Sequence, residues 1–171
     1  GTDLKSYYAK KGGFLMAASI DKYVYVTITN PFIKGIYLKY SKIESVSKYH
    51  EIKHPIIKEV FKNYFKQEDK IEITTLADIP AGTGLGSSGS FTTALIKALS
   101  VHNKKNISQE EIADKACEIE IEKLKEPIGK QDQYIASYGG LKCFNFNKNG
   151  KVKISNLKLR NSMVNKLEDN L

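Results

Sequence analysis

Hydrophobic positions in the first half of the chain switch between two periods. Phe14–Ile20 and Tyr23–Thr29 are dense in β-branched and aromatic residues and flank Asp21-Lys22, which predicts an antiparallel strand pair joined by a turn. Before them, Tyr7–Lys11 suits a short helix stopped by Gly12-Gly13. Asn30-Pro31 and Gly35 bracket a turn, and Ile36–Tyr40 reads as a further strand. At His54-Pro55 the period lengthens. Proline suits the first helical position, where its missing N–H has no helical partner. Ile56, Ile57, Val60, Phe61, Tyr64 and Phe65 then form one apolar stripe. Ile71–Leu76 returns to alternation, with Ile71, Ile73 and Thr75 on one side.

The second half is mainly helical. Phe91, Ala94, Leu95, Ala98 and Leu99 keep helical spacing directly after a glycine-rich segment. Ser108 with Glu111 forms a capping box, which predicts a helix through Ile112, Ala113, Ala116, Ile119 and Glu120 to a stop at Pro127 and Gly129. Lys130–Ser137 is helical in pattern, and Leu141–Asn145 with Val152–Leu157 forms a hairpin around Asn149-Gly150. The tail from Arg160 is polar and weakly helical. Strands and helices mix without strict βαβ alternation. The expected class is therefore α+β: a two-layer domain with a mostly antiparallel sheet packed by helices.

Composition narrows the functions. The 171 residues are 41% hydrophobic and 27% charged, the profile of a globular domain with a sizeable core. There is no apolar run long enough for a membrane helix, and the first residues do not have the form of a signal peptide. Cys117 and Cys143 lie far apart, without a CxxC or a nearby histidine pair; the expectation is two reduced thiols in a cytoplasmic protein. The net charge of +8 admits nucleic acid or phosphorylated small molecules as partners. Lysines are spread through the chain and Arg160 is the sole arginine, which points away from base readout and nucleic acid.

The chemistry concentrates at Asp78–Ser90, where a strand runs through a loop into a helix. Gly82, Gly84 and Gly86 remove side chains from every second position, so a polyphosphate can reach the main-chain N–H groups. The following helix aims its N-terminal dipole at the same space. The hydroxyls of Ser87, Ser88 and Ser90 can donate to phosphate oxygens, and one of them could ligate Mg²⁺. The segment is not a Walker A loop, because no Lys-Ser/Thr follows its last glycine, and it lacks the setting of a dinucleotide fingerprint. On these residues alone a merely flexible connection stays open.

The run Pro80-x-Gly82-x-Gly84-Leu85-Gly86-Ser87-Ser88 resembles the central motif of the GHMP kinases, among them galactokinases, homoserine kinases and mevalonate kinases. The resemblance implies an ATP phosphate-binding loop made by Pro80, Gly82, Gly84, Leu85, Gly86, Ser87, Ser88, Gly89 and Ser90. Gly89 departs from the alanine usual in the family. Gly129-Lys130-Gln131-Asp132-Gln133-Tyr134 resembles the family segment carrying the catalytic aspartate, which implies that role for Asp132. The preceding acidic helix implies Glu120 as a Mg²⁺ ligand with Ser88. Glu118 and Glu122 flank Glu120, and only the resemblance singles it out. Gly1-Thr2-Asp3 is similar to the end of a Gly-Gly-Gly-Thr-Asp motif, which implies that Thr2 and Asp3 bind sugar hydroxyls. Lys130, with Gln131 beside it, would face a substrate phosphate.

Together with Gly12–Tyr23 and His54-Pro55-Ile56, these segments resemble the heptose 7-phosphate kinases within the family, over nearly the whole chain. The implied activity is ATP-dependent phosphorylation of a sugar phosphate at its anomeric hydroxyl. A fucose- or galactose-type kinase, a non-catalytic relative and an RNA-binding domain are the rival readings. The family's opening Pro-x-Arg strand and its Gly-rich C-terminal domain do not occur in these residues. The expectation is therefore an N-terminal ATP-binding domain at 1–159, a linker at 160–171, little turnover by this segment alone, and a bare face that a second copy could cover as a homodimer.

Overall fold

The computed structural model describes residues 1–65, 70–80 and 82–170; Ala81 of the glycine-rich loop and Leu171 of the tail lie outside them. The chain divides into two units, residues 1–19 with 139–171, and residues 20–138.

The first unit opens with helix α1 (Lys5–Lys11), which ends at Gly12 with φ +73°. Strand β1 (Gly13–Ala18) follows. The unit resumes with β6 (Leu141–Phe146) and β7 (Val152–Asn156), giving an antiparallel sheet in the order β1-β6-β7. The Asn149-Gly150 hairpin is formed as expected, with Phe146 opposite Val152. Tyr8 of α1 stacks on Phe146 with ring centroids 6.1 Å apart. The tail forms a regular helix, α6 (Asn161–Glu168).

The second unit holds the strands β2 (Val24–Thr29), β3 (Gly35–Lys39), β4 (Ile43–Val46) and β5 (Lys70–Ala77), in the order β2-β5-β3-β4. Its helices are α2 (Pro55–Tyr64), α3 (Ser87–His102), α4 (Gln109–Cys117) and α5 (Gln131–Tyr138). The core lies between sheet and helices. Ile36 and Leu38 of β3 stand in parallel register with Ile71 and Ile73 of β5, and all four are fully buried under Val60 and Phe61 of α2 and Leu95, Ile96 and Leu99 of α3. Each such aliphatic side chain contributes about 1.5–3 kcal/mol relative to its exposed state. The fold is α+β, as expected, with one parallel pair, β3/β5, among antiparallel neighbours. Among the described residues no helix is long and apolar enough to cross a membrane.

Two expectations are corrected. The segments Phe14–Ile20 and Tyr23–Thr29 do not pair with each other: β1 pairs with β6 and β2 with β5. The partner of β2 is set by a long-range clasp, in which Asp78 N–H donates to Tyr23 O at 3.0 Å and Tyr23 N–H donates to Asp78 Oδ2 at 2.9 Å. Asp21-Lys22 therefore links two sheets. The helix begun at Ser108 also does not run on regularly toward Pro127: α4 ends at Cys117 and continues as a π-helical turn, Glu118–Lys123.

Local chemistry accounts for several helix ends. Ser108 and Glu111 form the capping box, with Glu111 N–H donating to Ser108 Oγ at 3.2 Å and Ser108 N–H to Glu111 Oε2 at 2.9 Å. His54 caps α2 by accepting the Ile57 N–H at Nδ1, 3.4 Å away, and burial holds its pKa below the ordinary value, so the ring stays neutral and able to accept. Helix α3 ends in a Schellman arrangement: Lys104 N–H donates to Val101 O at 2.9 Å and Lys105 N–H to Ser100 O at 2.8 Å. The left-handed position is Lys104, with φ +54°, where glycine is the usual occupant. Lys104→Gly should therefore raise unfolding stability by about 0.5–1 kcal/mol, the left-handed penalty less the extra entropy glycine loses on folding. Urea denaturation at constant m-value reads this directly.

Candidate active site

Strand β5 delivers the chain to the glycine-rich loop, and the loop delivers it to α3. Gly82, Gly84 and Gly86 all have left-handed φ, +84°, +76° and +72°. A β-carbon at Gly82 or Gly84 would meet nothing within 4 Å, so these two positions are glycine for their backbone conformation. Gly86 is the N-cap of α3, and Ser87, Ser88 and Gly89 form its first turn. With no side chain at the cap to accept them, the first N–H groups of α3 are directed at the loop.

Gly86 and Gly89 have a second role. A β-carbon on Gly86 would lie 3.3 Å from Asp132 Cγ, and one on Gly89 would lie 3.0 Å from Asp132 Cβ, 3.1 Å from the Asp132 carbonyl carbon and 3.1 Å from Gln133 N. The start of α5 is thus packed onto the start of α3 at backbone range. This places the Asp132 carboxyl beside the glycine-rich loop, although the two are far apart in sequence. The glycine that departs from the family's usual alanine sits where a methyl group would crowd the start of α5 by a few tenths of an ångström.

Glu120 reaches the same place from the π-helical turn. The wide turn is closed by Leu124 N–H donating to Ile119 O, and the chain then reverses through Lys125, with φ +60°, so that Glu126 N–H donates to Glu120 O. Such a turn inserted in a helix re-aims the side chains around it and recurs at functional sites. Here it separates the three acidic residues. Glu118 accepts from Tyr64 Oη at 2.6 Å and pairs with Lys123 at 3.0 Å, and Glu122 is exposed. Of the three, Glu120 alone is buried, with 1% of its surface exposed. Ser88 Oγ donates to its Oε1, and Gln133 Nε2 donates to its Oε2 at 2.7 Å. Burial raises the Glu120 pKa, the charge of Asp132 raises it further, and the Ser88 and Gln133 donors oppose the shift. A desolvated carboxylate whose donors are neutral, beside a hydroxyl and within the field of a second carboxylate, is a hard-oxygen donor set suited to Mg²⁺. Two protein ligands are what Mg²⁺ commonly takes when phosphates and waters complete its octahedron.

Residues 52–140 match the family described as the GHMP kinases N terminal domain, more than half of the chain. The chain belongs to the GHMP kinase family. Over 98% of its length it is 29% identical to the D-glycero-alpha-D-manno-heptose 7-phosphate kinase of Campylobacter jejuni, and over 74% it is 29% identical to the mevalonate kinase of Methanothermobacter thermautotrophicus. The crystal structure of a D-glycero-D-manno-heptose 1-phosphate kinase from Bacteroides thetaiotaomicron superposes with a TM-score of 0.89 at 28% identity, over 98% of this chain. The chain spans 53% and 41% of the two curated relatives and 58% of the solved one.

The GHMP kinase loop, Ser88, Glu120 and Asp132, with Lys130 and Gln131 at the start of α5, all belong to the second unit. Thr2 and Asp3 belong to the first. There Thr2 Oγ1 donates to Phe14 O at 2.6 Å, and Asp3 is buried. Gln133 was not singled out from the sequence, although it stands within Gly129–Tyr134. The available signal was a glutamine on the apolar side of a helix next to the aspartate.

Two outcomes are expected at this site. Gly89→Ala should push the start of α5 away from α3 and cost about 1–3 kcal/mol of stability, as small overpacking changes do, with the displacement of Asp132 visible in a crystal structure of the variant. The raised pKa of Glu120 means that the folded chain holds its proton more tightly than the unfolded chain, so ionising it costs stability as pH rises from the ordinary glutamate range through the raised value. Without divalent cation, Glu120→Gln should therefore melt higher than the parent at about pH 8, and the difference should narrow as pH falls through that window.

Proposed function

We propose that this chain is the ATP-binding part of a sugar-phosphate kinase that transfers the γ-phosphoryl group of ATP to the anomeric hydroxyl of D-glycero-D-manno-heptose 7-phosphate. The observation that carries the reading is the convergence of three separate segments on one locus: the glycine loop at the start of α3, the buried Glu120 bonded to Ser88, and Asp132 packed on Gly86 and Gly89. Two of the relatives that span nearly the whole chain, at 29% and 28% identity, are named for heptose phosphates, which supports the choice of sugar. The intact acid, hydroxyl and carboxylate set favours a catalyst over a binding-only relative.

On this reading each residue has a chemical role. The loop N–H groups and the α3 N-terminus hold the phosphates, helped by the Ser87, Ser88 and Ser90 hydroxyls. Ser88 and Glu120 would hold Mg²⁺, which when bound would supply positive charge to the phosphates. Asp132 orients the sugar hydroxyl and takes its proton as the new O–P bond forms and the bond from the γ-phosphorus to the bridging oxygen breaks, releasing ADP. Thr2 and Asp3 bind sugar hydroxyls, with the carboxylate able to accept from a vicinal pair. Lys130 acts as a point charge toward the substrate's own phosphate, with Gln131 next to it. Residues 1–159 serve as the N-terminal domain and 160–171 as the link onward, in a cytoplasmic enzyme.

The test is ADP release with Mg-ATP by the full-length protein over heptose 7-phosphate, heptose 1-phosphate, fucose, galactose and mevalonate. Turnover on heptose 7-phosphate should fall by roughly a hundredfold or more in Asp132→Asn, the scale of a lost proton acceptor. Turnover confined to a different acceptor would replace the substrate, and nucleotide binding without any turnover would favour the binding-only relative. The 171 residues alone should turn over little, because phosphoryl transfer depends on positioning from every side of the site.

A further inference from the structure

Gln133 follows Asp132 on α5 and is wholly buried, with 0% of its surface exposed. Its two polar ends face two different groups. Nε2 donates to Glu120 Oε2 at 2.7 Å, while Oε1 lies 3.8 Å from the Cys117 thiol, which is buried on α4 and acts as a weak donor. Reversing the amide would aim its carbonyl oxygen at a carboxylate oxygen and its NH₂ at the thiol, so this arrangement permits only one orientation. A buried amide is costly unless both ends are satisfied, whereas leucine or methionine would fill a similar volume without desolvation. The amide at this place is therefore explained by the group it donates to.

We propose that Gln133 is a positioning residue for Glu120. It engages Oε2, leaves Oε1 as the oxygen shared with Ser88, and so sets the divalent-cation affinity of the nucleotide site. Cys117 acts one step further out by fixing the amide orientation. Because Gln133 and Asp132 are neighbours on the turn that packs against Gly89, a single helix placement aligns the proton acceptor and the cation ligand together. Outer partners of this kind commonly change metal affinity about 10–100-fold when removed. The inference rests on Glu120 being the cation ligand.

The experiment is calorimetric titration of the full-length protein with a non-hydrolysable ATP analogue, with and without Mn²⁺, for the parent and for Glu120→Gln, Gln133→Leu, Cys117→Ala and Cys117→Ser. Metal-free nucleotide affinity should stay within about twofold in Gln133→Leu, Cys117→Ala and Cys117→Ser, since the loop N–H groups and the site charges are untouched, whereas Glu120→Gln, which removes a negative charge, is read only by its Mn²⁺-dependent gain. The Mn²⁺-dependent gain should vanish in Glu120→Gln, fall about tenfold or more in Gln133→Leu, fall less in Cys117→Ala, and be retained in Cys117→Ser, whose hydroxyl restores a donor. A full Mn²⁺-dependent gain in Gln133→Leu, with Glu120→Gln losing it, overturns the positioning role while leaving the site reading intact. A full gain in Glu120→Gln overturns the reading of Glu120 and this inference with it. If Gln133→Leu does not melt cooperatively, Cys117→Ala decides, and an unchanged gain there overturns the proposal.

Discussion

The contact on which this site depends is the close approach of α5 to the first turn of α3, at a distance where a β-carbon on Gly89 would be crowded. A β-carbon at Gly89 would sit about 3 Å from backbone atoms of Asp132 and Gln133, and backbone cannot swing aside as a side chain can. Close packing makes such contacts sharply selective, because interiors have no slack into which a methyl group could move. Helix α5 is thereby seated against the same turn that ends the glycine-rich loop. Asp132 becomes a neighbour of the loop through helix packing, and Gln133 is carried inward on the adjoining position.

The second constraint is electrostatic. Glu120 is buried where its charge is disfavoured, and the charge of Asp132 adds to that cost. The ordinary way to hold such a carboxylate is an ion pair with lysine or arginine. Its direct donors here are instead the hydroxyls of Ser88 and Thr92 and the Gln133 amide, which orient the group without neutralising it. A cation with its own requirement for oxygen ligands would supply what these donors do not. The apolar burial of the β3/β5 pair under α2 and α3 sustains this placement.

The other acidic side chains on the same stretch show how specific this placement is. Glu118 and Glu122 lie within two residues of Glu120, yet one is tied to Tyr64 and Lys123 and the other faces solvent. Residues two apart on a helix point to different faces, so Glu120 turns inward while its neighbours on either side do not. Elsewhere Glu44 solves burial in the usual protein-only way. Burial alone would raise its pKa, but hydrogen bonds from Tyr40 Oη and from the Lys53 and His54 N–H groups outweigh this and hold it low, while the Tyr40 hydroxyl is pushed up to about 12 by its own burial and by Glu44. That carboxylate is fully served by donors within the chain, and its role is to brace the entry to α2.

What the sequence by itself determined is local. The capping box at Ser108, the proline start of α2, the Asn149-Gly150 hairpin and the glycine loop before α3 are all consequences of backbone chemistry within a few residues, where conformational preference and nearest donors decide the outcome. The motif around Asp132 was legible for the same reason, as a compact string whose resemblance names a role. Tertiary structure alone decided the rest. Strand β2 chose β5 over its sequence neighbour because the Asp78 clasp and the buried face of the sheet outweigh a nearby turn. The helix after Ser108 widened at Glu118 in a stretch whose pattern would have allowed it to continue. The part played by Gln133 emerged only when three helix starts and turns met, since a buried amide is explained by the atoms around it, and those atoms come from parts of the chain that periodicity cannot connect.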